Sequence, residues 1–74
     1  MVFQNIRSLR EDHDLSQKQV AHLLGIAQTT YSGYEVGAHD YPTEVLLKLA
    51  DYYQTSVDYL LDRTDDPAPP KRRA

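Results

Sequence analysis

Two short amphipathic stretches stand only three residues apart in this chain, at Gly25-Ile26-Ala27, and that spacing constrains the fold more than any other feature. Before the gap, Ser16 can cap a helix and Gln19, three residues on, completes a capping box. Leu15 and Val20 can staple across the same first turn. Val20, Ala21 and Leu24 then recur on one helical face. Gly25 can take the left-handed conformation that ends a helix at little cost. After the gap the spacing predicts a second helix from Gln28 to about Val36. Tyr31 and Tyr34 face inward on it, Ile26 can staple to Tyr31, and Gly37 is its stop.

The flanking sequence supplies three more helices. Phe3, Ile6, Leu9 and Arg10 recur at helical spacing, so residues from about 2 to 13 should form a first amphipathic helix, ended by Asp12-His13-Asp14. After the loop Ala38-His39-Asp40-Tyr41-Pro42, Thr43 should cap a fourth helix with Leu46, Leu49, Ala50 and Tyr53 on its apolar face. Ser56 should cap a short fifth helix, with Asp58 well placed against the dipole and Val57, Leu60 and Leu61 closing the core. Tyr31, Tyr34 and Tyr53 read as core residues; Tyr41, Tyr52 and Tyr59 are divided between core and a dimer interface. Tyr59, Leu60, Leu61 and the preceding loop are where a dimer contact is expected. No β-hairpin signal occurs, so the class is all-α, a compact five-helix bundle. Residues 1–63 form the domain. From Thr64 the composition turns to Asp, Pro and Lys/Arg, and 64–74 reads as a disordered tail with a basic end at Lys71-Arg72-Arg73.

The whole chain bounds the function. Seventy-four residues make a core only just able to stand alone, with little room for a deep cofactor cavity, which favours a binding module over an enzyme. There is no cysteine, and His13, His22 and His39 share no metal-ligand spacing, so neither metal nor cofactor is expected. No Ser/His/Asp arrangement or glycine-rich phosphate loop suggests catalysis. Nothing approaches the roughly 20 apolar residues that span a bilayer, and Met1-Val2-Phe3-Gln4-Asn5 lacks the pattern of a signal peptide. The expectation is a cytoplasmic protein.

Two short helices joined by a glycine-containing turn make a helix-turn-helix unit, here at about 17–36. Ala21 must be small where the third helix crosses it. The exposed remainder of that third helix is Gln28, Thr29, Thr30, Ser32 and Gly33, short and uncharged. Gln can bond adenine bidentately, Ser and Thr can bond several base edges, and a Thr methyl can touch a thymine methyl. An ordinary polar helix surface is the alternative for these residues, but such a surface more often carries Lys and Glu, the stronger helix formers. Charge argues the other way: eight Lys and Arg face eleven Asp and Glu, a net charge of −3, whereas DNA binding calls for a basic footprint. Only an uneven distribution answers this, with Arg7, Arg10 and Lys18 early and Asp51, Asp58, Asp62, Asp65 and Asp66 late.

Leu15-Ser16-Gln17-Lys18-Gln19-Val20-Ala21-His22-Leu23-Leu24-Gly25, followed by Tyr31-Ser32-Gly33-Tyr34-Glu35-Val36-Gly37, resembles the Cro/CI (XRE) family of phage-type, lambda-repressor-like helix-turn-helix proteins. Pro42, Leu46-Leu47-Lys48-Leu49-Ala50 and Ser56-Val57-Asp58-Tyr59-Leu60-Leu61 extend the likeness over about residues 3–63. The resemblance implies a repressor or other regulator in which the Gln28 helix enters the major groove and the Gln17 helix lies across the backbone. It places Gln28, Thr29, Ser32 and Gly33 at bases. It places Gln17, Lys18, Arg10, Thr30, Ala38 and His39 at the DNA backbone, the last two through amides of the loop from Val36 to His39. It pairs Arg10 with Glu35 as a buried ion pair. The implied partners are double-stranded DNA with a pseudo-palindromic operator, a second copy of the chain, and polymerase in the case of activation. The alternative on the same fold is an antitoxin gripping a toxin, or another protein-interaction module. Three positions depart from the family pattern. Ala27 replaces a capping Ser or Thr, Gly33 breaks a helix that reads bases, and His39-Asp40 stand where basic residues are common.

Overall fold

The computed structural model describes residues 1–70, and these form five helices without a strand. They are α1 (Gln4–Asp12), α2 (Gln17–Leu24), α3 (Gln28–Glu35), α4 (Thr43–Tyr53) and α5 (Val57–Leu60). The α2–α3 pair packs together, α5 packs against both α4 and α1, and the chain thereby closes on its own start. Ile6, Val20, Ala21, Leu24, Tyr31, Tyr34, Val45, Leu49, Ala50, Tyr53 and Leu60 form one buried cluster drawn from all five helices. No described helix is long and apolar enough to cross a membrane.

The local signals around α2 are realised as read. Ser16 accepts from the Gln19 amide, Gln19 answers to the Ser16 amide, and Gly25 ends the helix at φ 70°. Nothing lies within 4 Å of where a Gly25 Cβ would stand, so glycine is favoured there by the backbone turn and not by crowding. Ser56 likewise caps α5 by accepting from the Tyr59 amide at 3.0 Å.

Two boundaries and two burial assignments differ from the sequence reading. Thr43 is the first residue of α4, not its cap; Pro42 stands at the cap position in extended conformation, with no side-chain bond. Along α4, Val45 is the buried residue and Leu46 only half-buried. In α5, Leu60 is wholly enclosed while Val57 and Leu61 are half-buried, so Leu60 belongs to the core and is not available to a dimer contact. The fourth difference is at α1, which starts at Gln4, because Phe3 is extended and offers no cap.

The cap of α1 comes from the far end of the domain. Asp62 accepts from the Gln4 and Asn5 amides at 2.8 and 2.9 Å, and the Asn5 amide group donates back to the Tyr59 carbonyl at 2.8 Å. A carboxylate on two first-turn amides satisfies orphan donors and complements the helix dipole. One of the acids that weighed against DNA binding is therefore a structural clasp. Beyond it, Thr55, 4% exposed, donates from its hydroxyl to the Pro67 carbonyl at 2.8 Å, which ties Pro67 to the α4–α5 junction. Lys71, Arg72 and Arg73 lie outside the described residues.

Candidate nucleic-acid interface

Helix α3 has two unlike faces. Tyr31, Tyr34 and Glu35 are buried against the bundle, while Gln28 and Thr29 are exposed and Thr30, Ser32 and Gly33 half-exposed. Residues 28, 29, 32 and 33 fall on one side of an α-helix, so the structure brings the four expected base readers onto one surface. Val36, the cap residue of α3, continues that stripe and is 66% exposed. The sequence reading gave Val36 no side-chain role, although its spacing of four from Ser32 and eight from Gln28 was the available signal. As Ala27 implied, α3 begins without a side-chain cap.

The inner face is locked by charge and by aromatic packing. Arg10 Nε and Nη2 donate to the two Glu35 oxygens at 2.7 and 3.1 Å, and Nη1 donates to the Leu15 carbonyl at 2.9 Å. The two side chains are 13% and 4% exposed. The guanidinium thus ties α1, the entry to α2 and the end of α3 to one point. The hydrogen bond to Glu35 raises the Arg10 pKa above its ordinary value. Burial opposes ionisation of Glu35, but its bonds from Arg10 and Gln17 outweigh that cost and hold the carboxyl below the usual range. Burial, and then the Glu35 charge, push the Tyr31 phenol far above its ordinary value. Tyr31 meets Tyr34 edge-on at 6.5 Å, and Tyr34 lies 5.0 Å from Tyr41, which in turn lies 6.0 Å from Phe3.

The residues expected at phosphate are placed less uniformly. Lys18 is exposed beside the capped start of α2. Gln17 turns inward instead, its Nε2 donating to Glu35 Oε1 at 3.1 Å. Each Arg10 guanidinium nitrogen already has a protein partner. The loop amides are also engaged: Val36, Gly37, Ala38 and His39 donate to the carbonyls of Ser32, Tyr34, Gly33 and Gly33. What this loop presents outward is side chains, with Val36, Ala38, His39 and Asp40 exposed.

Among the described residues no group of histidines and carboxylates could hold a metal ion. The surface is an uncharged, rigidly backed helix face, suited to binding an edge rich in hydrogen-bond donors and acceptors.

Known proteins share this fold. The helix-turn-helix family model matches residues 6–60. The chain is 44% identical over 73 residues, 99% of its length, to the uncharacterized HTH-type transcriptional regulator YobD of Bacillus subtilis, and covers 65% of that protein. It is 41% identical over 46 residues to the antitoxin PezA of Streptococcus pneumoniae, covering 62% of this chain and 29% of PezA. A crystal structure of a transcriptional regulator from Listeria innocua superposes with a TM-score of 0.76 at 29% identity, over 89% of this chain and 64% of that one. In each case the chain spans less than two thirds of the relative's length.

Proposed function

We propose, from the premise that this chain belongs to the helix-turn-helix family, that it is a sequence-specific DNA-binding transcriptional regulator. The carrying observation is the α3 surface, uncharged on its outer side and locked behind by Arg10, Glu35 and the tyrosines. In this reading α3 enters the major groove and α2 crosses the backbone. Gln28, Thr29 and Ser32 meet base edges, and the Val36 methyls can touch a thymine methyl. Lys18, Thr30, the N-terminal turn of α2 and the side chains around Ala38 and His39 face phosphate. Gln17 and Arg10 act chiefly by holding Glu35, and so α3, in place. Two copies on a pseudo-palindromic operator would put their recognition helices about 34–36 Å apart. The simplest outcome in the cytoplasm is repression by occluding polymerase.

The test is a matched pair of binding curves. Gln28→Ala should weaken binding to the selected operator by about 1–3 kcal/mol and leave binding to random duplex unchanged. Equal losses on both DNAs would remove Gln28 from the readers.

A protein-interaction role on the same fold is the second reading. The likeness to the antitoxin PezA and the net charge of −3 favour it. It is separated from the first by whether the chain selects any duplex sequence.

A further inference from the structure

Gly33 is the one departure on the reading face that the family does not account for, and the structure shows what occupies its place. A Cβ built on Gly33 would overlap the His39 imidazole, with ring Cδ2, Nε2 and Cγ the nearest atoms. The ring is held there. The Ala38 and His39 amides both donate to the Gly33 carbonyl, at 2.9 and 3.1 Å, which folds the loop back over the last turn of α3. Tyr34 then meets the imidazole edge-on, centroids 6.4 Å apart at 80°. His39 is nevertheless exposed, and among the described residues neither ring nitrogen makes a hydrogen bond. A helix interior normally disfavours glycine by about 1 kcal/mol against alanine. Here the missing side chain is the seat of another one.

We infer that His39, seated over Gly33, is a member of the recognition surface: its imidazole supplies to DNA the hydrogen-bonding side chain that position 33 lacks. The inference rests on the DNA-binding reading and deepens it. The expected loop-amide contacts with phosphate are taken up inside the protein, so the loop contributes through this side chain instead. The acceptor is an oxygen or nitrogen on DNA, either a base edge in the major groove or a backbone phosphate; both suit an imidazole N–H donor. The seat makes a specific demand: Gly33 and His39 act as one unit. A methyl at position 33 must push the ring off its site, which a flexible side chain can do without unfolding the helix.

The test is a double-mutant cycle on the duplex recovered by selection from a random pool. Gly33→Ala and His39→Ala should each weaken binding about tenfold, the size of one well-made contact. The double variant should bind no worse than the weaker single, because both changes remove the same contact. Thermal unfolding of Gly33→Ala should match or exceed wild type, which separates the loss from misfolding. Losses confined to the selected duplex assign the acceptor to a base; losses on random duplex as well assign it to phosphate. Additive losses would mean that the alanine methyl itself collides with DNA, and they would overturn the shared contact, as would unchanged affinity in His39→Ala. If the wild-type chain selects no duplex, the DNA reading falls and this inference with it.

Discussion

Arg10→Ala is expected to destabilise the domain by about 3–5 kcal/mol, because it leaves the Glu35 carboxylate buried without its charge partner. Glu35 is 4% exposed, Gln17 supplies only one neutral hydrogen bond, and no other cation reaches it among the described residues. Small domains hold about 5–15 kcal/mol in total, so a loss of this size falls on most of the margin. It should lower the melting temperature by on the order of 15 °C. Exchanging both partners for apolar residues, Arg10→Met with Glu35→Leu, should recover much of that loss, since no charge is then stranded. Chemical denaturation of the wild type, the single and the double variant checks this. A single variant within about 1 kcal/mol of wild type would mean that the pair is a surface-type bridge of little consequence.

The same pair sets the acid limit. Glu35 is held below the ordinary carboxylate pKa of about 4.3, so the stability from its ionisation is complete above that value. It is lost as the pH falls through the lower, folded value. The wild type should therefore unfold in acid, and removing Arg10 should move that transition to higher pH.

Thr29→Glu is expected to abolish operator binding, with a loss of several kcal/mol, while leaving the fold intact. Thr29 is exposed in the first turn of α3, where glutamate is the better helix former and is favoured by the dipole. The stability of the variant should equal or exceed that of the wild type. Facing phosphate and base oxygens, the new carboxylate meets like charge with no counter-ion on α3, whose eight residues contain no Lys or Arg. Retained binding with retained stability would show that this side of α3 does not face DNA. A partner protein reached through another surface would be unaffected by the change, so the variant also separates the two functional readings.

What was legible in the sequence was local. Ser16, Gln19 and Gly25 act within four residues of where they stand, so the capping box and the left-handed stop of α2 could be read directly. The same holds for Ser56 over α5, and for Tyr31, Tyr34 and Tyr53, whose spacing gave their burial. The Arg10–Glu35 pair joins residues 25 apart, and only the family resemblance pointed to it. Features with neither a local pattern nor a family precedent were not legible. Asp62 caps α1 from 58 residues away, and as a lone acid near the domain end it carries no periodic signal. The slip from Leu46 to Val45 on α4 reflects a run of apolar residues, Val45-Leu46-Leu47, in which helical spacing alone admits neighbouring registers. Gly33 and His39 read as separate weaknesses of the reading face because nothing in the sequence shows the ring lying over the glycine.

Pairing within the fold does not alter the charge balance. Glu35 pairs with Arg10, Glu11 pairs with Arg7 at 2.8 Å, and Asp62 accepts from the α1 amides, but each ion pair takes up a cation with its acid, so the net charge of −3 is unchanged. The acidic excess weakens nonspecific attraction, and affinity should fall steeply with salt.

The central claim, that α3 reads DNA sequence, is tested most directly by selecting binding sites from a random duplex pool at low salt and again at physiological salt. The expected result is enrichment of an inverted repeat with half-site centres about 10 base pairs apart, persisting at reduced yield in the higher salt. A pool that stays random even at low salt would contradict it and would give the protein-interaction role first place.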